Sequence, residues 1–463
     1  MPMRAFLILL VATLAWGALS FGAVYPWAYW PLGAAAAALG LWGLFLTRAW
    51  RDPRVRALSL GLALVAAAIG AQIVPLEDSW VATWSPARDR LLDNATIGYR
   101  PESWHAISID QGSTIVALAL FVAFALMLVG LVRAIRLIPL RTLTASLAVL
   151  GLALALLGIV QAAAIDRNDP LVYGFWRPGY GATPFGPFVN KNHFAGWMLM
   201  VLPVALADVL ARVAARSRAG RFEWPTLLRV MAGARSGQLV LGIVAVGIMG
   251  LTIVLTASRS GMAGVALSFA VLGGAIWLRP ETRAARRALT AGLVALAGTA
   301  VVWGGAAATI ARFGQAADGL SGRWHAWHDT VRIVRDFLPL GTGLGTYGQA
   351  MLIYQTGDRT GLYQQAHNDY LQLFAEGGLL VAIPAAVALG LLVVQIWRRL
   401  QAPDDDVTSR WLRMGAVAGL AGIAAQSVVE FSLQMPGNTA MLVVLLAIAL
   451  HNPPRGTPDA HRV

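Results

Sequence analysis

Gln238–Leu278 reads QLVLGIVAVGIMGLTIVLTASRSGMAGVALSFAVLGGAIWL, apolar almost throughout, with Arg259 as its one charged residue. As a single helix, about 40 residues would run about 60 Å, twice the roughly 30 Å of hydrocarbon in a bilayer. The segment must therefore fold back on itself, and Ala257-Ser258-Arg259-Ser260-Gly261 is the natural turn. Two antiparallel membrane helices follow, with Arg259 held between them at the membrane surface. A guanidinium at the bilayer centre costs about 2.5–3.5 kcal/mol on insertion scales, so its placement needs a reason. One reason is snorkelling to lipid headgroups. The other is an anion clamp, because guanidinium donates two parallel hydrogen bonds to a phosphate and keeps its charge.

The same apolar pattern recurs outward in both directions. Of 463 residues, 57% are hydrophobic and 13% charged, where a soluble domain carries about 25% charged residues. Twelve spans are expected, near 5–22, 28–47, 57–75, 113–132, 142–164, 193–211, 238–256, 261–278, 290–309, 370–397, 413–428 and 436–451. The fold class is thus an all-α polytopic membrane protein. The first span has the basic start of a secretory signal, but eleven further spans favour a retained helix.

The net charge of +13 could point to nucleic acid, but its placement argues for topology. Arginines gather in alternate connections: Arg48 to Arg56, Arg133 to Arg141, Arg212 to Arg235, Arg279 to Arg287, and Arg398 to Arg413. Positive-inside bias then places both termini in the cytoplasm, and no nucleic-acid partner is expected. Cysteine is absent, which excludes disulfides, thiolate metal sites and cysteine nucleophiles. The expected organisation is a membrane domain over 1–309 with outer loops 76–112 and 165–192, a large outer loop over 310–369, and a second membrane portion over 370–463. Loops of that length tend to be functional.

Polar residues with chemical potential concentrate on the outer side. In Ser321-Gly322-Arg323-Trp324-His325-Ala326-Trp327-His328, Arg323 and Trp327 are four apart and share a helix face, where stacking alone could explain them. His325 and His328 lack carboxylates at ligand spacing, so no metal is expected. The loop closes in Gln365-Ala366-His367-Asn368-Asp369-Tyr370-Leu371-Gln372. Asp369 with Gln372 fits a capping box, and this predicts that the tenth span starts there, with His367 just outside its N-terminus. That end of a helix favours anions and disfavours imidazolium, so His367 is expected to be neutral, able to accept a proton beside a bound phosphate. Asp369, Gln372 and Glu376 form one polar stripe, read as interhelical support.

Upstream, Asn190-Lys191-Asn192-His193 sits at a predicted helix start and holds the chain's one lysine, Lys191. A point charge for substrate and a simple cap with a solvent-facing lysine are equally good readings. The run Gly341-Thr342-Gly343-Leu344-Gly345 could cradle phosphate, but no strand precedes it and a flexible turn is the default.

Taken together, Phe188-Val189-Asn190-Lys191-Asn192-His193-Phe194-Ala195-Gly196, Ser258-Arg259-Ser260-Gly261, Gly322-Arg323 with Trp327, Pro339 with Gly341 to Gly345, and His367-Asn368-Asp369-Tyr370-Leu371 with Glu376-Gly377 resemble the O-antigen ligase and polysaccharide polymerase superfamily. Those bacterial multispan enzymes act on lipid-linked glycans at the periplasmic face. The resemblance implies metal-independent, inverting transfer of an undecaprenyl-diphosphate-linked glycan to a glycan, lipid or protein hydroxyl acceptor, with no nucleotide cofactor, in the bacterial inner membrane. Carried over by position, Arg259 and Arg323 would bind the diphosphate and His367 would be the catalytic base. Lys191, Asn192, His193, Trp327 and Asn368 become candidates for donor or acceptor binding. The segment Phe21-Gly22-Ala23-Val24-Tyr25-Pro26-Trp27 and the loop 76–112 look closer to exopolysaccharide-cluster members than to lipopolysaccharide ligases. A ligase, a chain-extending polymerase and a protein O-oligosaccharyltransferase share these motifs. A flippase or transporter would instead place ionisable groups along a central path.

Overall fold

The structure, a computed structural model, describes residues 2–46, 53–95, 104–166, 169–179, 181–216, 237–277, 316–357, 361–402 and 406–452. The expected ninth span, 290–309, and the arginine-bearing stretches 217–236 and 278–289 lie outside the described residues.

Among the described residues, eight helices are long and apolar enough to cross a membrane. They are α1 (Pro2–Leu19), α2 (Pro26–Leu46), α3 (Pro53–Ala71), α6 (Gln111–Ala134, continued by a 3-10 turn to Leu137), α7 (Leu140–Ala164), α8 (Lys191–Arg216), α9 (Gly237–Leu255) and α13 (Asp369–Leu400). Three more predicted spans also form helices: α10 (Arg259–Trp277), α14 (Val407–Gln426) and the 14-residue α15 (Pro436–Ala449). The fold is therefore an all-α, multi-pass membrane protein, with eleven of the twelve expected spans found as helices among the described residues. The turn in the opening segment falls where length demanded it, with Ala257 in the left-handed region (φ 49°) between α9 and α10.

Helix α8 is the centre of the bundle. Its apolar window is 94% buried, against 22–44% for the other seven, which turn side chains such as Phe45, Leu60 and Val160 outward. Outward apolar groups cost nothing in lipid, where every backbone polar group is satisfied within its helix. Small residues bring helices close. A Cβ on Gly40 or Gly130 would lie 2.1–2.7 Å from the other helix's backbone, so α2 and α6 touch main chain to main chain.

Loops gather at two ends of the bundle. At one end, Arg141 donates to Thr408, and Arg413 donates to the carbonyls of Arg399 and His451. At the other end lie the turn before α10, the starts of α8 and α13, and the nine residues between α14 and α15. Here the large loop builds a folded cap from α11 (Ala316–Phe337) and α12 (Tyr347–Tyr354). Ile333, Phe337, Tyr347 and Met351 form its small core together with Ala87 from α5 (Pro86–Ala95) and Ala375 from α13. The described parts of loop 76–112, which also hold α4 (Asp78–Trp84) and the short β1–β2 pair Leu76–Glu77 with Trp104–His105, thus belong to the cap. Asp329 fixes the segment that returns toward His367. Burial would raise its carboxyl, but the Thr356 hydroxyl and N–H, with Arg332 nearby, outweigh that and hold it below the usual carboxylate range.

Two local expectations change. The cap of α13 is Asn368, not Asp369: the Asn368 side chain accepts from Leu371 N at 2.9 Å, while Gln372 accepts from Ala366 N and donates to Gln365. The glycine run is neither a flexible turn nor a phosphate cradle. Its N–H groups already donate inside the protein, Gly341 to Phe337 O, Thr342 to Ala375 O, Gly343 to Glu376 O, Leu344 to Gln72 and Gly345 to the Glu376 carboxylate. Glycine is required because a Cβ on Gly341 (φ +77°) would sit 2.3 Å from Glu376 O.

Candidate active site

Three residues apart in elements but close in space meet on one carboxylate. Between α14 and α15 the chain runs non-helically through Val428-Val429-Glu430-Phe431, and Glu430 is fully buried. Non-helical backbone at the end of a membrane bundle is tolerated where protein surrounds it. Arg323, on α11, donates from a terminal guanidinium nitrogen to Glu430 Oε1. Asn192, on the first turn of α8, donates to the same oxygen at 2.7 Å. His367 places Nδ1 3.7 Å from Glu430 Oε2.

Each partner is held by local structure. Asn190 caps α8 through its side chain, accepting from Asn192 N at 2.8 Å, which points Asn192 toward Glu430. The N–H of Lys191 donates to Thr183 O. Trp327 lies one turn beyond Arg323, as the spacing predicts, and donates its indole N–H to Ala366 O at 3.0 Å. Trp327 thus holds the His367 segment directly, while Arg323 reaches the carboxylate that faces His367. His367 itself is left-handed (φ 50°), a conformation uncommon outside glycine though less so for histidine than for most residues, and one that concentrates at functional sites.

Phe431 stands between two imidazoles, edge-on to His367 at 4.7 Å and to His193 at 4.6 Å. His193 is buried, and neither ring nitrogen has a hydrogen-bond partner. Arg259 begins α10. The next residue, Ser260, has its hydroxyl 3.5 Å from the Gln426 amide, which donates to Asn192 O at 3.1 Å. Arg259 therefore starts its helix beside the same corner. His325 and His328 point elsewhere on α11, and both are exposed. Among the described residues no three His, Asp or Glu side chains converge as metal ligands.

The structure thus brings Arg323, His367, Asn192, His193, Trp327 and Asn368 into one region, with Lys191 at the same helix end and Arg259 opening the neighbouring helix. Glu430 was not legible as a member. Its signal in the sequence is an acidic residue between two apolar spans, four after Gln426, and an ionisable group so placed is a functional candidate by default.

A family model described as O-antigen ligase matches residues 244–386, less than half of the chain. No curated protein matches the sequence. The matched stretch contains Arg259, Arg323, Trp327, His367 and Asn368, whereas Asn192, His193 and Glu430 lie outside it. That match runs through the turn of Arg259, the helix of Arg323 and the loop of His367, in an all-α multi-pass membrane fold, and it supports the resemblance of this chain to the O-antigen ligase and polymerase superfamily.

Proposed function

We propose that this protein transfers a glycan from an undecaprenyl-diphosphate carrier to a hydroxyl acceptor in surface polysaccharide biosynthesis, at the periplasmic face of the bacterial inner membrane. Both termini then lie in the cytoplasm. The family supports ligase- or polymerase-type activity in general, and the residues support the chemistry in particular. The acceptor hydroxyl gives its proton to His367. Its oxygen bonds to the anomeric carbon from the face opposite the leaving group, and the bond from that carbon to the diphosphate oxygen breaks, its electron pair leaving with the lipid diphosphate. Configuration inverts.

A diphosphate leaves already charged, so it needs stabilised charge rather than a proton. Arg259 and Arg323 supply this without a metal, and one such electrostatic donor is worth about 2.7–4 kcal/mol. Asn192, Lys191 and Asn368 are assigned to donor or acceptor binding, with the buried His193 behind them, and Trp327 fixes the base loop. In this reading 310–369 is the large periplasmic loop that carries Arg323 and His367, between the membrane portions 1–309 and 370–463.

The observation that carries the reading is that Arg323 and His367, 44 positions apart, meet over Glu430 at one end of the bundle. Polar groups gathered at one end fit an enzyme acting at a surface. A transporter would place its site at the midplane. The test is to incubate purified protein with lipid-diphosphate glycan and candidate acceptors, with chelator present. Release of lipid diphosphate coupled to a longer or transferred glycan supports the reading, and a protein that binds the donor but never releases lipid diphosphate overturns it. Deletion then separates the subclasses: loss of a polymerase leaves single repeat units, and loss of a ligase strands long chains on the carrier.

A further inference from the structure

Glu430 has an uneven set of partners. Oε1 receives both Arg323 and the Asn192 amide, whereas Oε2 has no hydrogen bond, and neither does the His367 Nδ1 that faces it. Both atoms are buried. Leaving two such groups unpaired is costly, and buried polar atoms in native proteins are nearly always satisfied. The gap of 3.7 Å exceeds a hydrogen bond by less than 1 Å. The pair is one small movement from closing.

We propose that Glu430 is a positioning residue that passes from Arg323 to His367 when the donor binds. This rests on the transferase reading above. In the free protein the carboxylate occupies Arg323, whose side chain remains 25% exposed and so can be reached from the site, while that of Glu430 is wholly buried. A diphosphate offers more charge and bidentate geometry to a guanidinium than a carboxylate already shared with an amide. Once the donor takes Arg323, Glu430 keeps Asn192 as a pivot on Oε1, and Oε2 turns to His367 Nδ1. The Nδ1–H then donates to the carboxylate, which leaves Nε2 as the lone pair for the acceptor hydroxyl and stabilises the imidazolium after proton transfer. Phe431, adjacent in sequence and edge-on to the imidazole, limits how far the ring can follow. His193 on α8 and Asp369 at the start of α13 are the other titratable groups near this pair. The consequence is an order of events: His367 becomes a well-oriented base only after the diphosphate is seated, so water is not activated in an empty site.

The experiment compares steady-state kinetics of wild type and Glu430→Gln, with donor varied at saturating acceptor. The amide keeps the size of the side chain and removes its charge. The expected result is a kcat lower by about 10²-fold, with a donor KM unchanged or lower, because Arg323 is no longer held by a competing carboxylate. In a His367→Ala background, Glu430→Gln should lower kcat no further, since the residue acts through the base. A kcat within about threefold of wild type overturns the proposal, as does a donor KM that rises enough to account for the whole loss. If Glu430→Gln does not accumulate in membranes, Glu430→Asp keeps the charge but draws it back by one methylene. It is expected to lower kcat at constant donor KM, and a wild-type kcat in that variant overturns the proposal. These outcomes are separate from failure of the transferase reading, which wild type alone would reveal by releasing no lipid diphosphate.

Discussion

Two buried glutamates lie toward the same end of this bundle, and they are held in opposite ways. Glu376, on α13, accepts from the backbone N–H groups of Gly345 at 3.0 Å and Tyr347 at 2.9 Å and from the Gln372 amide at 3.2 Å, so both oxygens are filled. Its own carbonyl takes Gly343 and Gln72. Glu430 is met only by side chains, from α8, α11 and the loop before α13, and one oxygen is left without a hydrogen bond. Backbone donors cannot leave without moving the chain, so Glu376 bolts the cap to the membrane helices. Side-chain partners can rotate away, so Glu430 sits where a ligand can change the pairing.

Substitutions can break that contrast. The largest effect is expected from His367→Ala, which should lower transfer by about 10²–10⁴-fold, the worth of a general base, with normal accumulation in membranes. Normal transfer by this variant would remove the base assignment. Next, Arg323→Ala and Arg259→Ala should each cost about 10²–10³ in kcat by loss of charge stabilisation at the diphosphate, measured as lipid diphosphate released per protein.

On the Glu376 side the expected loss is of fold rather than rate. Glu376→Gln should lower stability by about 1.5–3 kcal/mol, the worth of a hydrogen bond to a charged group, seen as a lower thermal midpoint in detergent. Transfer per folded molecule should stay near wild type. A specific loss of kcat there would erase the distinction between the two glutamates. The smallest effect belongs to Trp327→Phe, which deletes the bond to Ala366 O and should cost about 0.5–1.5 kcal/mol, read as a few-fold fall in kcat.

Much of the bundle was legible because its determinants are local and one-dimensional. A run of apolar residues must be about 20 long to cross hydrocarbon, and Gln238–Leu278 had to turn near Arg259 for that reason alone. The spacing of Arg323 and Trp327 gave their shared helix, and His367 lay just before a helix start as expected. The cap itself was misplaced by one residue, since Asp and Asn both serve as caps and only backbone geometry distinguishes Asn368 from Asp369. The glycine run was misread because glycine is common both in flexible turns and at tight contacts. What decides is whether other backbone, here that of Glu376 and Gly378, lies against it.

The sequence by itself determined that this chain is a membrane bundle with reactive polar groups on one side, since apolar length and charge placement act through solvent and need no partner. Only the tertiary structure decided that Arg323, Asn192 and His367 converge on Glu430, and that Glu376, of the same residue type, is fully engaged. The reason is physical: a carboxylate's role depends on which donors surround it and whether they can leave, and for Glu430 the two hydrogen-bond donors, Arg323 and Asn192, come from parts of the chain more than a hundred positions away.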